Sequence, residues 1–327
     1  MKEKNNHFKR SIVAFCDLCG KNKSVYLRKH SGQNLCVQCF INSFESIINK
    51  TISKYHMLSP EDKIIVGLSG GKDSIALLYN LIKIQKKTYN SEPITAISIN
   101  EGIDKYSTER MDFAQRFCKT NNIIHKIYSF KEKIGKTLDE IIEIKKRDGE
   151  FRFPCNYCAL IRRRLLNDIA KDLGGTVLAL GHNLTDFSET FLMNLLYKRF
   201  HLIAQNSISE RNLSKDKFYI RKVFPLMKLP ENEVAFYVNL NNLEFYEKKC
   251  PYRKEYPILR KKVLDFIKKL KTSSPEIEYN LFNGFLELSE ILNSKDTNSI
   301  SNKCLTCGYP TSNNKICSYC ELLENIS

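Results

Sequence analysis

No stretch of the 327-residue sequence approaches the roughly 18 consecutive apolar residues of a membrane-spanning helix, so no membrane span is expected. The basic start MKEKNNHFKR is followed by apolar residues only from Ile12 to Phe15 before Cys16 intervenes, which makes a signal peptide unexpected as well. Acidic side chains are also in short supply. The 36 Asp and Glu face 52 Lys and Arg, a formal charge of +16 and a pI near 9.2. That imbalance points to a polyanionic partner such as nucleic acid, because neutralised phosphates are the main sequence-independent source of affinity for it. Part of the excess also fits a chain rich in Lys, Ile and Asn through genomic base composition alone.

A Walker A loop is missing too. Gly67 is followed by only Leu68-Ser69-Gly70 before Gly71-Lys72, and Asp73 stands where the motif needs a hydroxyl. Ser69 likewise occupies the second glycine position of a dinucleotide GxGxxG. What is present, KIIVGLSGGKDS from Lys63 to Ser74, predicts a strand over 64–68, an anion-binding loop and a helix from Ser74. Gly70 and Gly71 let backbone N–H groups close on phosphate, Lys72 adds charge and the helix N-terminus adds its dipole. Leu68, Ser69, Gly70, Gly71, Lys72, Asp73 and Ser74 are therefore the candidate nucleotide-binding residues. The six residues SGGKDS resemble the PP-loop of ATP pyrophosphatases. That likeness implies cleavage of ATP between the α- and β-phosphates and adenylation of a carbonyl-type oxygen.

Beyond the loop, strands at 94–99, 123–130 and 176–180 alternate with helices at 107–118, 134–147, 159–173 and 186–200. This predicts an α/β fold with a doubly wound parallel sheet, whose ligand sits at the carboxyl ends of the strands. Ile99, as an adenine-contacting backbone, and Gly181-His182 then face the crevice of the phosphate loop. The expected organisation is a zinc ribbon over 1–40, a linker helix over 41–60, the ATP-binding domain over 61–225, a helical extension over 226–303 and a second ribbon over 304–327. The length suits one sizeable core with smaller modules.

Twelve cysteines fall mostly in CxxC pairs, which in a nucleotide-using, cytoplasmic enzyme argues for metal thiolates rather than disulfides. Cys16, Cys19, Cys36 and Cys39 form one predicted structural zinc site, and Cys304, Cys307, Cys317 and Cys320 form another. Cys118, beside Phe113 and Phe117 on a helix, reads as core. Cys155-x2-Cys158 has no second pair nearby; alone it fits half a zinc site, a redox pair or two buried thiols. Together with Cys250, in KKCPY, it fits a [4Fe–4S] cluster with one iron lacking a protein ligand.

PCxxC followed by an arginine-rich helix, then Gly181-His182-Asn183 with Asp186, then Phe224-Pro225-Leu226, Pro230-Glu231 and Cys250-Pro251-Tyr252, resembles the TtuA-type tRNA 2-thiouridine synthetases and their cytoplasmic wobble-uridine relatives. Thr185 replaces one of the family's paired acids, Arg162 a common lysine, and Lys249 the acid before the third cysteine. The resemblance implies tRNA as substrate and ATP with Mg2+ near Asp73 and Asp186. It also implies adenylation of the uridine C2 oxygen, then sulfur delivery at Cys155, Cys158 and Cys250. The same resemblance implies free sulfide or a ubiquitin-like carrier protein as sulfur donor, and a homodimeric chain. Direct persulfide chemistry at Cys155 and Cys250 is the rival scheme; cytidine thiolation and a non-catalytic RNA-binding scaffold are alternative functions. The basic groups Arg162–Arg164, Lys198-Arg199, Arg221-Lys222, Arg253-Lys254 and Arg260–Lys262 are expected to rim the site mouth and track RNA phosphates.

Overall fold

The computed structural model describes residues 14–88, 91–149, 153–205, 218–255, 259–295, 302–313 and 315–326. The basic start and Ile12 lie outside them. A hairpin, β1 (Tyr26–Arg28) and β2 (Gln33–Leu35), leads into α1 (Val37–Lys54). Then follow β3 (Ile64–Gly67), α2 (Lys72–Gln85), β4 (Thr95–Asn100), α3 (Tyr106–Thr120), β5 (Ile124–Ser129), α4 (Phe130–Ile134) and α5 (Leu138–Arg147). Next come α6 (Pro154–Asp172), β6 (Val177–Leu180), α7 (Leu184–Leu196), α8 (Phe200–Gln205), β7 (Arg221–Val223) and α9 (Glu231–Leu240). The chain ends with α10 (Tyr252–Glu255), α11 (Leu259–Leu270), α12 (Ile277–Lys295), the short pair β8 (Asn302–Lys303) and β9 (Pro310–Thr311), and α13 (Ser318–Glu324).

The five parallel strands are ordered β5-β4-β3-β6-β7. The chain winds outward from β3 to β5, then returns to the other side of β3, so the strand order reverses between β3 and β6. That switch point is where an open α/β sheet makes its crevice. Alternation divides the core between the two faces. Val66, Ala96 and Ala179 pack with α1, α2, α9 and α12, whereas Ile65, Ile97 and Leu178 pack with α5, α6 and α13.

The expected sheet is present, with local differences. β7 is an additional strand of only three residues, too short and too charged for its period to register. The expected 134–147 helix begins only at Leu138, because Gly135 at φ 76° ends α4 and a Thr137–Glu140 capping box restarts the chain. α6 begins at Pro154, five residues before the expected Ala159; proline at the first helical position leaves no needed N–H unpaired.

The amino-terminal hairpin is fastened by a buried ion pair. Arg28 Nε and its terminal nitrogen reach the two Glu233 oxygens at 3.1 and 2.8 Å, while Arg28 also donates to Ser43 Oγ. Around it, Tyr26 stacks on Phe236 and Phe44 on Tyr237 with centroids 4.7 and 4.0 Å apart. Both ionic partners are at most 5% exposed, so truncating one strands a buried charge. Glu233→Ala is expected to lower unfolding free energy by about 3–5 kcal/mol, read as a reduced urea midpoint with an unchanged slope.

Candidate nucleotide and cysteine site

The loop after β3 is held by its own serines. Ser69 N donates to Ser74 Oγ at 3.1 Å, the two hydroxyls lie 3.0 Å apart, and Ser74 Oγ donates to Gly71 O at 2.9 Å. Gly70 has φ 77°, and a Cβ there would collide with the Arg110 carbonyl, so only glycine serves. α2 starts at Lys72 rather than the expected Ser74, which puts Lys72 and Asp73 in its positively polarised first turn.

The end of β6 lies directly against that turn. A Cβ on Gly181 would approach Asp73 C and O and Ser74 N to 3.0 Å. Asn183 Nδ2 donates to Asp73 Oδ1 at 3.0 Å, and Asn183 caps α7 reciprocally with Asp186. Lys72 Nζ bridges Asp73 and Glu231 at 3.0 and 2.8 Å. Gly181, Asp73 and Asp186 are thus gathered at the phosphate loop. Burial, and next the neighbouring Asp186, push the Asp73 carboxyl up; Lys72 and Asn183 oppose them. Two such carboxylates form an oxygen donor set suited to Mg2+. Thr185 is buried: it donates to Glu278 at 2.7 Å and accepts from Glu231 N.

Cys155 and Cys158 sit in the first turn of α6. The segment leading to Cys250 is tied back to the loop by Tyr246 N donating to Gly70 O at 2.9 Å, and α10 then packs on α6. Cys158 and Cys250 pack against the same core cluster, and Cys155 acts electrostatically on both. Burial pushes Cys158 up to about 12, against the pull of Arg162 and Arg110. Burial also raises Cys250, opposed by the Tyr252 and Arg253 backbone N–H groups. Three soft sulfur donors of this kind suit an iron–sulfur cluster.

The two four-cysteine sets are compact in a different way. The sulfurs of Cys16, Cys19, Cys36 and Cys39 lie within 4.8 Å of one another, as do those of Cys304, Cys307, Cys317 and Cys320. Among the described residues, no other group of three or more metal-ligating side chains is as close. Each set fits a closed tetrahedral zinc site. Cys118 is in the core, as expected.

Residues 41–267 match the PP-loop domain family. The chain belongs to that family. It is 32% identical to a probable sulfurtransferase of Methanocaldococcus jannaschii, over 98% of this chain and 92% of the relative. It is 30% identical to the tRNA-5-methyluridine(54) 2-sulfurtransferase of Pyrococcus horikoshii, over 94% and 92%. Among solved structures it resembles the U34-tRNA thiolase NcsA from Methanococcus maripaludis with its [4Fe–4S] cluster, at TM-score 0.79 and 31% identity, covering 96% of this chain and 97% of that one.

Two residues of this PP-loop protein escaped the sequence reading. Glu101, at the carboxyl end of β4 and 1% exposed, pairs with Arg110 and lies 3.5 Å from Arg162. Burial alone would raise its carboxyl, yet the two arginines hold it below the usual range. Arg110 also donates to the Ile99 carbonyl at 3.3 Å, and its Nε is a buried donor without a partner among the described residues. Its backbone touches Gly70 and its charge reaches Cys158, so it joins phosphate loop and thiols. The only signal for Glu101 was its position just beyond a strand's carboxyl end, and Arg110, inside α3, carried none.

The basic groups separate into different roles. Arg221 binds Asp62 and the Met57 carbonyl, Arg260 binds Asp186 and Glu189, and Arg164 turns toward the tail. Arg163, His182 and Lys222 are exposed to solvent. Partial desolvation lowers all three; Arg162 and Arg260 add to this at Arg163, and Arg163 does so at Lys222.

The raised Asp73 carboxyl has a consequence for stability. Ionised Asp73 disfavours the folded state once pH exceeds the ordinary carboxylate value, and the penalty reaches its full size above the raised one. Asp73→Asn is therefore expected to raise the thermal midpoint of the nucleotide-free protein at pH 7–8. The gain should shrink as pH falls and vanish below the ordinary carboxylate range. The same variant should lose the stabilisation that Mg-ATP gives the wild type, measured by thermal shift with and without Mg-ATP.

Proposed function

We propose that this chain is an ATP-dependent tRNA uridine 2-thiolase acting in the cytoplasm. The observation that carries the reading is Arg110, whose carbonyl lies against the phosphate loop at Gly70 while its side chain pairs with Glu101 and its charge reaches Cys158. One residue thus ties a nucleotide-activating site to a sulfur-handling one.

In this reading Ser69–Ser74 and the α2 N-terminus hold the ATP phosphates, Lys72 neutralises developing charge, and Asp73 with Asp186 holds Mg2+. The exposed cations Arg163 and Lys222 take RNA phosphates, which brings an extruded uridine to the loop. Its C2 oxygen attacks the α-phosphorus and pyrophosphate leaves. A sulfur nucleophile then adds at C2 and AMP departs with the oxygen. A [4Fe–4S] cluster held by Cys155, Cys158 and Cys250 would supply one iron open to an external sulfur ligand. Two structural zinc ions, a homodimeric state and a donor that is either free sulfide or a ubiquitin-like thiocarboxylate belong to the same reading. Membrane attachment does not enter it, since no helix among the described residues is long and apolar enough to cross a membrane.

The test is iron, acid-labile sulfide and zinc per chain on anaerobically purified protein, wild type beside Cys250→Ala. Thiolated nucleosides are then read by mass spectrometry from tRNA treated with each. About four iron and four sulfide with about two zinc are expected, the iron lost in the variant and the zinc kept. Only wild type should form 2-thiouridine, and mapping both position 34 and position 54 covers the nucleotides named for the two relatives. Zinc without iron after reconstitution would shift the chemistry to a Cys155 persulfide resolved by Cys250. Formation of 2-thiocytidine would overturn the substrate.

A further inference from the structure

The helix that presents Cys155 and Cys158 is held along its middle by the carboxyl-terminal cysteine module, and one arginine makes the connection. Arg164 lies nine residues after Cys155, about 13 Å further along α6. Its terminal nitrogen NH1 is 3.6 Å from Cys307 Sγ, its Nε donates to Asp168 at 2.5 Å, and its guanidinium carbon lies 3.4 Å from the Tyr309 ring centroid and 5.1 Å from that of Tyr319. Tyr309 OH in turn donates to Asp168 Oδ1 at 2.7 Å and pairs with Asn167 Nδ2, so contact runs without a break from α6 into the metal knuckle. Leu322 and Ile326 of the tail complete the bond by packing with Ile161, Leu165 and Ile169 of α6.

A dication with four thiolates keeps net negative charge, and an arginine donating to one sulfur offsets it while fixing that ligand's direction. The helix is stiff, so a shift at Arg164 is carried to its first turn. The amino-terminal four-cysteine site has no such link among the described residues: Cys16 and Cys36 pack with α1 and α9 on the opposite face of the sheet. We infer that the carboxyl-terminal metal site, acting through Arg164, positions α6, so that Cys155, Cys158 and Cys250 retain iron only while the tail retains its metal. Arg164 is accordingly a positioning residue, and the tail module is a clamp on the sulfur site rather than a free arm for RNA. This rests on the cluster assigned above to the three cysteines.

The experiment compares wild type with Cys155→Ala, Cys36→Ser, Cys317→Ser, Arg164→Met and Arg164→Lys, each reconstituted anaerobically with iron and sulfide. Iron and zinc per chain are measured after desalting, zinc release to a chromogenic chelator is timed, and circular dichroism checks the fold. Cys36→Ser should lose zinc yet keep its iron, and Cys317→Ser should lose zinc and most of its iron. Arg164→Met, with all four tail ligands intact, should release zinc at least about tenfold more readily and lose iron in step. Arg164→Lys, which keeps a donor without the planar stack, should fall between. Wild-type iron in Cys317→Ser, or full iron in Arg164→Met alongside faster zinc release, overturns the inference. Failure of wild type to take up iron, or iron retained in Cys155→Ala, instead removes the cluster assignment, and the inference falls with it.

Discussion

The structure depends on how closely backbone is brought to backbone at the reversal of strand order. Gly70 lets the phosphate loop lie on the carbonyl of Arg110, and Gly181 lets the end of β6 rest on the first turn of α2. The first contact excludes a β-carbon and the second leaves it little room. Through them, residues from three parts of the chain meet: the loop after β3, the cap of α7 and the α3 arginine. The cost is electrostatic, because the approach sets Asp73 beside Asp186 with only Lys72 and Asn183 to compensate Asp73.

Charge on this chain is therefore sorted by depth rather than spread evenly. Glu101 is the deep anion, paired to Arg110 and near Arg162, and it supplies an electrostatic reason for cations to remain beside buried thiols. Further out, desolvation and then like-charge repulsion from the exposed Arg163 lower its neighbour Lys222. The formal charge of +16 is consequently a weaker guide to RNA binding than the few cations held in this geometry.

Much of this was legible in the residues. The phosphate loop, the alternation of strands and helices and the two four-cysteine sets each rest on local spacing, and local spacing survives folding. What failed to register depends on partners distant in sequence. Nothing near Arg221 announces Asp62, nor does the arginine run at Arg162–Arg164 reveal that its members face Glu101, solvent and Cys307 respectively. Successive helical residues point about 100° apart, so a basic run on a helix cannot serve one surface. The early start of α6 was hidden because PCNYC reads as a knuckle, whereas Pro154 at the first helical position makes it a helix N-terminus.

The two cysteine modules then acquire different meanings from the faces they cover. The amino-terminal one joins the face containing α1, α2 and α9, where Arg28 and Glu233 fasten it and aromatic stacking fills the core. The carboxyl-terminal one joins the face containing α5 and α6, against which Cys158 and Cys250 also pack. Similar spacing in sequence thus yields one module that stabilises the nucleotide side and one that braces the sulfur side. Positioning of a reactive first turn needs bracing more than the phosphate loop does, because the loop is fixed by its own serines whereas Cys250 arrives from nearly a hundred residues away. A metal-tied tail supplies that rigidity without enlarging the core.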